Sequence, residues 1–345
     1  MDIKNKRIAI LAPVAWRTPP RAYGAWETVA SNITEGLVAR GWKNVTLFAT
    51  RDSVTSAKLA GCIERGYEED KTQIPAVSTC LHISKMMERA GQFDLIHNNF
   101  DYLPLTYLPL IKTPMLTTIH GFSSPDILRV YHDHKDTYYV SISDSDRNKD
   151  LPYLATVYNG IDLSNLTFRP NPGDKLVFYG RIHPDKGTHL ACEVAKKCKQ
   201  DLIIAGIIQD QDYFDTLVKP HINNTSIKFI GPVNPVQRDG LLKEAYAVLH
   251  LNELPERFGL VMAESMAAGV PVIAYDRGSC REVIEDGQTG YLVTDVEEAV
   301  EAVGKIDLID RKKCRQHVEE NFTIDCMVAG YEKVYEQIFA FEEQK

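Results

Sequence analysis

The chain has 345 residues, 44% hydrophobic and 25% charged, an ordinary globular composition that suits two hydrophobic cores better than one. A formal net charge of −8 argues against broad nucleic-acid binding, which depends on many basic side chains meeting phosphates. The charge is uneven: residues 1–160 carry 18 Lys+Arg against 17 Asp+Glu, and the remainder carries 21 against 30.

The opening MDIKNKRIAILAPV reads as a first strand rather than a secretory signal, because Pro13 cuts the apolar run short. No apolar run reaches the roughly 18 residues that a membrane span needs. Seven cysteines (62, 80, 192, 198, 280, 314 and 326) form no CxxC pair. Reduced thiols in a cytoplasmic protein explain them better than a disulfide framework or a zinc site.

Strand-length apolar runs alternate with helical patterns. The first set is RIAILAP (7–13), NVTLFAT (44–50), FDLIHN (93–98), MLTTIH (115–120), YYVSIS (138–143) and ATVYN (155–159). After the first of them comes the amphipathic WETVASNITEGLVARG, closed by Gly41 as helices often are. SNLTFRPNPGD (164–174) is rich in Pro, Asn and Gly and reads as a linker. The pattern then restarts with LVFYG (176–180), DLIIAG (201–206), IKFIG (227–231), AVLHLN (247–252) and PVIAYD (271–276). A last helix over 323–343 places Met327, Tyr331, Val334, Tyr335, Ile338 and Phe339 on one face. This alternation predicts an α/β protein of two doubly wound parallel sheets facing across a cleft. In such sheets ligands bind beyond the carboxyl ends of the strands, so the strand-to-helix turns are where chemistry is expected.

Four turns stand out. In LPERFGLVMAESMAAGVPV (254–272), Glu256 and Glu264 lie in an otherwise apolar run, and burying a carboxylate without a partner is costly. A helix beginning near Phe258 or Gly259 would offer free amides as an anion site. Were the whole span helical, the two acids would stand roughly 12 Å apart, which suits a ligand with hydroxyls at both ends and an anion between, such as a nucleotide sugar. The alternative is pairing with neighbouring Arg257, Arg277 or Arg281 on a solvated face. In YGRIHPDKG, Arg181 and Lys186 are spaced to clamp a diphosphate, or are surface charges. In WRTPPRAYGAWE, Gly24 precedes a helix and permits a phosphate or sugar of a donor to come close, and Arg17, Arg21, Tyr23 and Trp26 either line an acceptor pocket or belong to a rigid Pro-rich loop. In TTIHG, His120 ends a strand.

In this order these turns resemble retaining glycosyltransferases of the GT-B fold, family GT4. The resemblance covers nearly the whole chain and rests on ERFGLVMAE with AAGVPVIA (267–274), GRIHPDKG, YNGID (158–162) and YGAWETVASNITEGLVARGWKNVTLFAT (23–50). It implies an N-terminal Rossmann-like acceptor domain at 1–162, a nucleotide-sugar donor domain at 163–322, and a helix at 323–345 packing back on the first. Glu264 is then expected to bind the ribose, and Glu256 the donor sugar near the reacting centre. Arg181 and Lys186 would hold the diphosphate with the amides of Phe258, Gly259 and Leu260, and His120 would sit beside sugar and phosphate. No metal or cofactor is implied, since Arg181 and Lys186 can neutralise the leaving pyrophosphate, and no protein nucleophile is required because the leaving phosphate oxygen helps take the acceptor's proton. The donor expected is UDP-glucose, with GDP-mannose next. The acceptor is a small molecule, a saccharide or a lipid-linked group, and peripheral membrane contact is permitted but not indicated. One departure from the family pattern is Ala25, where a second glycine is usual. It is tolerable only where φ is negative.

Other patterns are read as structural. Asp210-Gln-Asp212 and Asp144-Ser-Asp146 match the DxD of metal-dependent enzymes but precede helical runs, where Asp caps. His132-Asp133-His134 lies in a charged helical run, HDHKD, whose adjacent residues do not share a face. Rival functions are a GT-B hydrolase, phosphorylase or epimerase, and a nucleotide-sugar-binding protein without catalysis.

Overall fold

A computed structural model describes residues 3–121 and 125–344. The chain divides into two compact units, one of residues 1–160 with 324–345 and the other of residues 161–323.

In the first unit the strands are β1 (Arg7–Leu11), β2 (Asn44–Phe48), β3 (Lys58–Ala60), β4 (Leu95–Asn98), β5 (Met115–Ile119), β6 (Tyr138–Ser141) and β7 (Tyr153–Thr156). Among the described residues they form a seven-stranded sheet in the order β3-β2-β1-β4-β5-β6-β7, and every pairing is parallel. The near-continuous apolar strands follow from burial on both faces. The helices here are α1 (Ala25–Ala39), α2 (Pro75–Met87) and α3 (Leu128–Asp133). Gly41, at φ 89, supplies the left-handed step that ends α1, its N–H bonded to Val38 O at 2.9 Å.

In the second unit the elements are β8 (Lys175–Tyr179), α4 (Thr188–Cys198), β9 (Leu202–Ala205), α5 (Gln211–Tyr213), β10 (Ile227–Phe229), α6 (Pro235–Lys243), β11 (Ala245–His250), α7 (Leu260–Ala267), β12 (Val272–Tyr275), α8 (Cys280–Val283), β13 (Gly290–Val293), α9 (Val296–Val303) and α10 (Arg311–Asn321). The sheet order is β10-β9-β8-β11-β12-β13, again parallel.

The closing helix α11 (Ile324–Glu342) belongs to the first unit. Its face of Met327, Val328, Tyr331, Val334, Tyr335, Ile338 and Phe339 is buried. Two contacts explain the fit. A Cβ at Gly36 of α1 would lie 2.5 Å from Val328 Cγ2, so only glycine allows this approach. Buried His97 of β4 bonds Tyr335 Oη at 2.7 Å and Thr118 Oγ1 at 2.8 Å, and Thr118 in turn meets Tyr331 Oη at 2.9 Å.

Several expectations change. Residues 164–174 are no free linker. Thr167 N–H donates to Asp239 at 2.8 Å, Arg169 pairs with Asp239 at 2.6 Å, and Phe168 packs against Gly269, so the stretch is part of the second unit. Asp210 caps a helix, accepting from Tyr213 N–H at 2.8 Å, but Asp144 and Asp146 do not. They lie in the turn between β6 and β7, where Asp144 accepts from Thr156 Oγ1. Helix α3 stops at Asp133, which leaves Lys135 and Asp136 of HDHKD beyond it. Strands β3 and β13 had no counterpart in the sequence reading, and β7 begins two residues before the expected 155.

Candidate functional site

Parallel sheets gather loops at the carboxyl ends of their strands, and a crevice opens where the strand order reverses. In the second unit that reversal lies between β8 and β11, which pair directly. The loops leaving these two strands carry the residues singled out above.

After β8 the chain turns at Gly180 and runs through Arg181 to a short 3-10 turn (Pro184–Lys186) and Gly187. Gly187, at φ 62, packs so closely that a Cβ would sit 2.0 Å from Leu251 O. That contact pins the β8 loop to the β11 loop. Its consequence is that Lys186 Nζ reaches Glu256 Oε2 at 2.8 Å. The same oxygen accepts from His250 Nε2 at 3.0 Å and Asn252 Nδ2 at 2.5 Å, while Oε1 accepts from Arg257 N–H at 3.0 Å. The backbone of Glu256 is fixed from the far side, where its carbonyl accepts from Ser279 N–H at 3.0 Å and a Cβ at Gly278 would collide with it. Burial alone would raise the Glu256 carboxyl, but the Lys186 ammonium and the His250 bond outweigh it and hold the group well below its ordinary value. It is a carboxylate with its charge answered locally.

Arg181 donates to Gln209 and pairs with Asp185 at 3.0 Å, and Asp185 also meets His183 Nδ1 at 2.6 Å. The guanidinium is held in place on the loop that carries Lys186.

The Glu256 loop ends at Gly259, whose φ of 85 would strain any side chain. Helix α7 then starts at Leu260, later than expected, and residues 256–259 are not helical, so the 12 Å separation inferred from a continuous helix does not apply. The first bond into the helix is Met262 N–H to Gly259 O at 2.9 Å, which leaves the amides of Gly259, Leu260 and Val261 ahead of the ladder as donors for an anion. The Phe258 side chain is core, edge-on to Phe322 at 5.7 Å.

Glu264 sits in the second turn of α7 with its side chain 10% exposed, paired to Arg238 Nη1 at 2.7 Å. Burial raises its carboxyl above the ordinary value, against the opposing pull of Arg238 and Tyr179. Arg277 and Arg281, two of the three arginines considered as partners for the two acids, bond elsewhere, to Glu253 O and Asp276. Both acids are largely buried and pair with cations distant in sequence, Lys186 and Arg238, so they do not lie on a solvated face.

In the first unit, the reversal between β1 and β4 is matched by a second cluster. His120, just past β5, is buried and donates Nε2–H to Asn99 Oδ1 at 3.2 Å. Burial lowers its pKa to about 3, so the imidazole is neutral at neutral pH. Trp26 stacks on it at 5.6 Å with 25° between the planes. Gly24, at φ 145, caps α1, and the positive φ falls on it rather than on Ala25, which is exposed in the first helical turn. The alanine therefore fits without strain. Tyr23 stands edge-on to Trp16 at 6.0 Å. Arg17 donates its amide to Glu69 at 3.0 Å and Nε to Pro19 O at 2.9 Å. Arg21 pairs with Asp52 at 2.9 Å and with Glu69.

Sequence reasoning missed His250, Asn252, Arg238, Asn99 and Glu27. The first two had a signal, since polar residues close the otherwise apolar AVLHLN at a strand's carboxyl end. Arg238 and Glu27 had none, because only the fold brings Arg238 to Glu264 and buries Glu27 beside Trp16.

Two Rossmann-like units, each with its loops gathered where the strand order reverses, define the GT-B fold. Residues 166–322 match the family model described as glycosyl transferases group 1. A phosphatidyl-myo-inositol mannosyltransferase of Mycobacterium leprae is 26% identical over 253 residues, 66% of this chain and 67% of that one. The structure of a sucrose-phosphate synthase from Thermosynechococcus elongatus matches with a TM-score of 0.78 at 19% identity, over 97% of this chain and 100% of that one. That of Anabaena HepE in complex with UDP and glucose matches at 0.75 and 18% identity, over 96% and 100%. Among the described residues no helix is long and apolar enough to cross a membrane.

Proposed function

We propose that the protein transfers a hexose from a nucleotide-diphosphate sugar to an acceptor with retention of anomeric configuration and without a metal. UDP-glucose is the favoured donor and GDP-mannose the next. The observation that carries the reading is the convergence of Lys186, His250 and Asn252 on one Glu256 oxygen, beside the uncapped amides that open α7. A carboxylate held ionised accepts sugar hydroxyls. A lysine and a set of amides next to it stabilise a departing diphosphate, and both effects grow where water is excluded. Glu264 takes the ribose diol and Arg181 joins Lys186 at the diphosphate. Charge on the leaving group is met by Lys186 and the amides, which is the work a divalent cation performs in other transferases. His120, being neutral, serves as a hydrogen-bonding group rather than a cationic clamp. The first unit takes the acceptor at Tyr23 and Trp26, Gly24 lets the donor approach the start of α1, and the cytoplasm is the proposed compartment. The HepE complex with UDP and glucose supports the donor class, and the mannosyltransferase relative supports a lipid-linked acceptor as one candidate.

The test is calorimetric titration of UDP, GDP, ADP, UDP-glucose and GDP-mannose, with and without EDTA, followed by turnover with a labelled donor. Binding of one nucleotide that survives EDTA and weakens in Glu264→Ala supports the reading. Transfer to an acceptor completes it, while free sugar alone indicates hydrolysis and binding without turnover indicates a non-catalytic protein. No binding of any nucleotide refutes it.

A further inference from the structure

The first unit carries a cavity at the edge of its sheet opposite to the loops just described. Arg7, Asn44 and Lys58 are the first residues of β1, β2 and β3, and all three line it, so it lies at the amino ends of these parallel strands. Its volume is about 340 Å³, within the range of small-ligand sites. Every charged side chain lining it is a cation: Arg7, Lys43, Lys58 and Arg89. In a chain of net charge −8 this single-sign lining is the reverse of the average surface.

The four cations are not equally committed. Arg7 is neutralised by Asp94, through a bond of 2.7 Å. No carboxylate among the described residues pairs with Lys43, Lys58 or Arg89. Arg89 is half-buried and held over the Phe48 ring, 5.1 Å from its centroid, with Nε toward Gln92 Oε1 at 3.4 Å. Its guanidinium is thus oriented before any ligand arrives. Glu35 touches the rim through Ser56 but forms no ion pair there. Lys58 alone could be explained as a charge that keeps the edge strand β3 from pairing with another chain. Lys43, in the turn before β2, and Arg89, beyond α2, lie on no exposed strand edge. Buried Trp42 and Phe93 give the cavity an apolar side.

We propose that this cavity binds a phosphate-bearing anion, a site separate from the donor and acceptor loops. Three cations without carboxylate partners around one concavity call for more negative charge than a single carboxylate brings, and a phosphate ester or diphosphate supplies it together with oxygens for the planar fork of Arg89. The apolar side accommodates the body that carries the phosphate. The ligand is a soluble phosphate ester or the headgroup of an anionic lipid, which share this chemistry. The inference does not depend on the proposed transferase activity.

The experiment titrates inorganic pyrophosphate at low salt into the full chain carrying Arg181→Ala and Lys186→Ala, which removes the diphosphate loop of the second unit. Binding is expected, weakened by added salt. It is also expected to fall at least tenfold when Lys43→Glu and Lys58→Glu are added, and separately when Arg89→Gln is added. In parallel, the same proteins are sedimented with phosphatidylcholine vesicles containing phosphatidylglycerol. Co-sedimentation lost with Lys43→Glu and Lys58→Glu identifies a lipid headgroup, and pyrophosphate binding without vesicle binding identifies a soluble ester. Unfolding midpoints verify that the variants fold, since Lys43 and Lys58 are exposed. Neither probe binding, or binding indifferent to all three substitutions, overturns the proposal.

Discussion

Replacing Glu27 by glutamine should flatten the pH dependence of the first unit's stability. Glu27 is in the first turn of α1, 3% exposed, with Oε1 accepting from Trp16 N–H at 3.2 Å. The groups that bear on it are this amide, its own amide, and the Glu69 carboxylate. Burial raises its carboxyl from 4.5 to about 7, the amides oppose the rise, and Glu69 adds to it. In the native protein the group therefore keeps its proton at pH values where the unfolded chain has lost it. The resulting stabilisation is complete below about pH 4.5 and is lost as pH rises through about 7. At about 1.4 kcal/mol per pKa unit the full excursion is about 3 kcal/mol, an upper figure. Glu27→Gln keeps the acceptor for Trp16 and never ionises. The variant and the parent should match near pH 5 within experimental error, and the variant should be the more stable by up to about 3 kcal/mol at pH 8. Tryptophan fluorescence during urea unfolding reads this directly, because Trp16, Trp26 and Trp42, all the tryptophans of the chain, lie in the first unit. Parallel stability profiles for parent and variant from pH 5 to 8 would refute the argument.

Glu256→Ala should lower turnover at least a hundredfold while the Kd for free UDP changes less than threefold, since its proposed contact is to the sugar; equal losses in both would place it elsewhere. Arg238→Met leaves a buried carboxylate without its cation and should destabilise the second unit by about 3 kcal/mol, with UDP affinity reduced and partly recovered in Arg238→Lys. Denaturant unfolding by circular dichroism and UDP titration check the two parts, and an unchanged affinity would remove Glu264 from the ribose. Gly259→Ala forces a side chain onto a φ of 85 and against Met262, at a cost of about 1–3 kcal/mol, and should abolish tight UDP binding through the start of α7; calorimetry at matched folded fraction decides it.

The strand-helix alternation was legible because strands buried on both faces are written as apolar runs, and α11 because its apolar residues recur on one face. What was illegible was short or half-polar. β3 is KLA, three residues at a sheet edge, and β13 is GYLV, whose Gly290 is needed because a Cβ would strike Val272 O. Residues 164–174 misled by composition, since Asn, Pro and Gly describe a chain without regular structure but not one without contacts, and Asp239 and Gly269 hold it. At the site, residue types and spacing pointed to Glu256, Lys186 and Glu264. They did not reveal that Lys186 and Glu256 answer each other, because that pairing depends on two loops 70 positions apart leaving adjacent strands.

The path of the chain sets an order of assembly. Ile161 N–H bonds Phe322 O at 2.7 Å, so the second unit's entry and exit are laced to each other and that unit has all its residues before α11 leaves the ribosome. The first unit, begun earlier, then still lacks Tyr331 and Tyr335, the partners of the Thr118 and His97 side chains at its centre. The half that is translated first is the half that finishes last, and a nascent chain stalled before residue 324 would carry a completed second unit and an open, aggregation-prone first sheet.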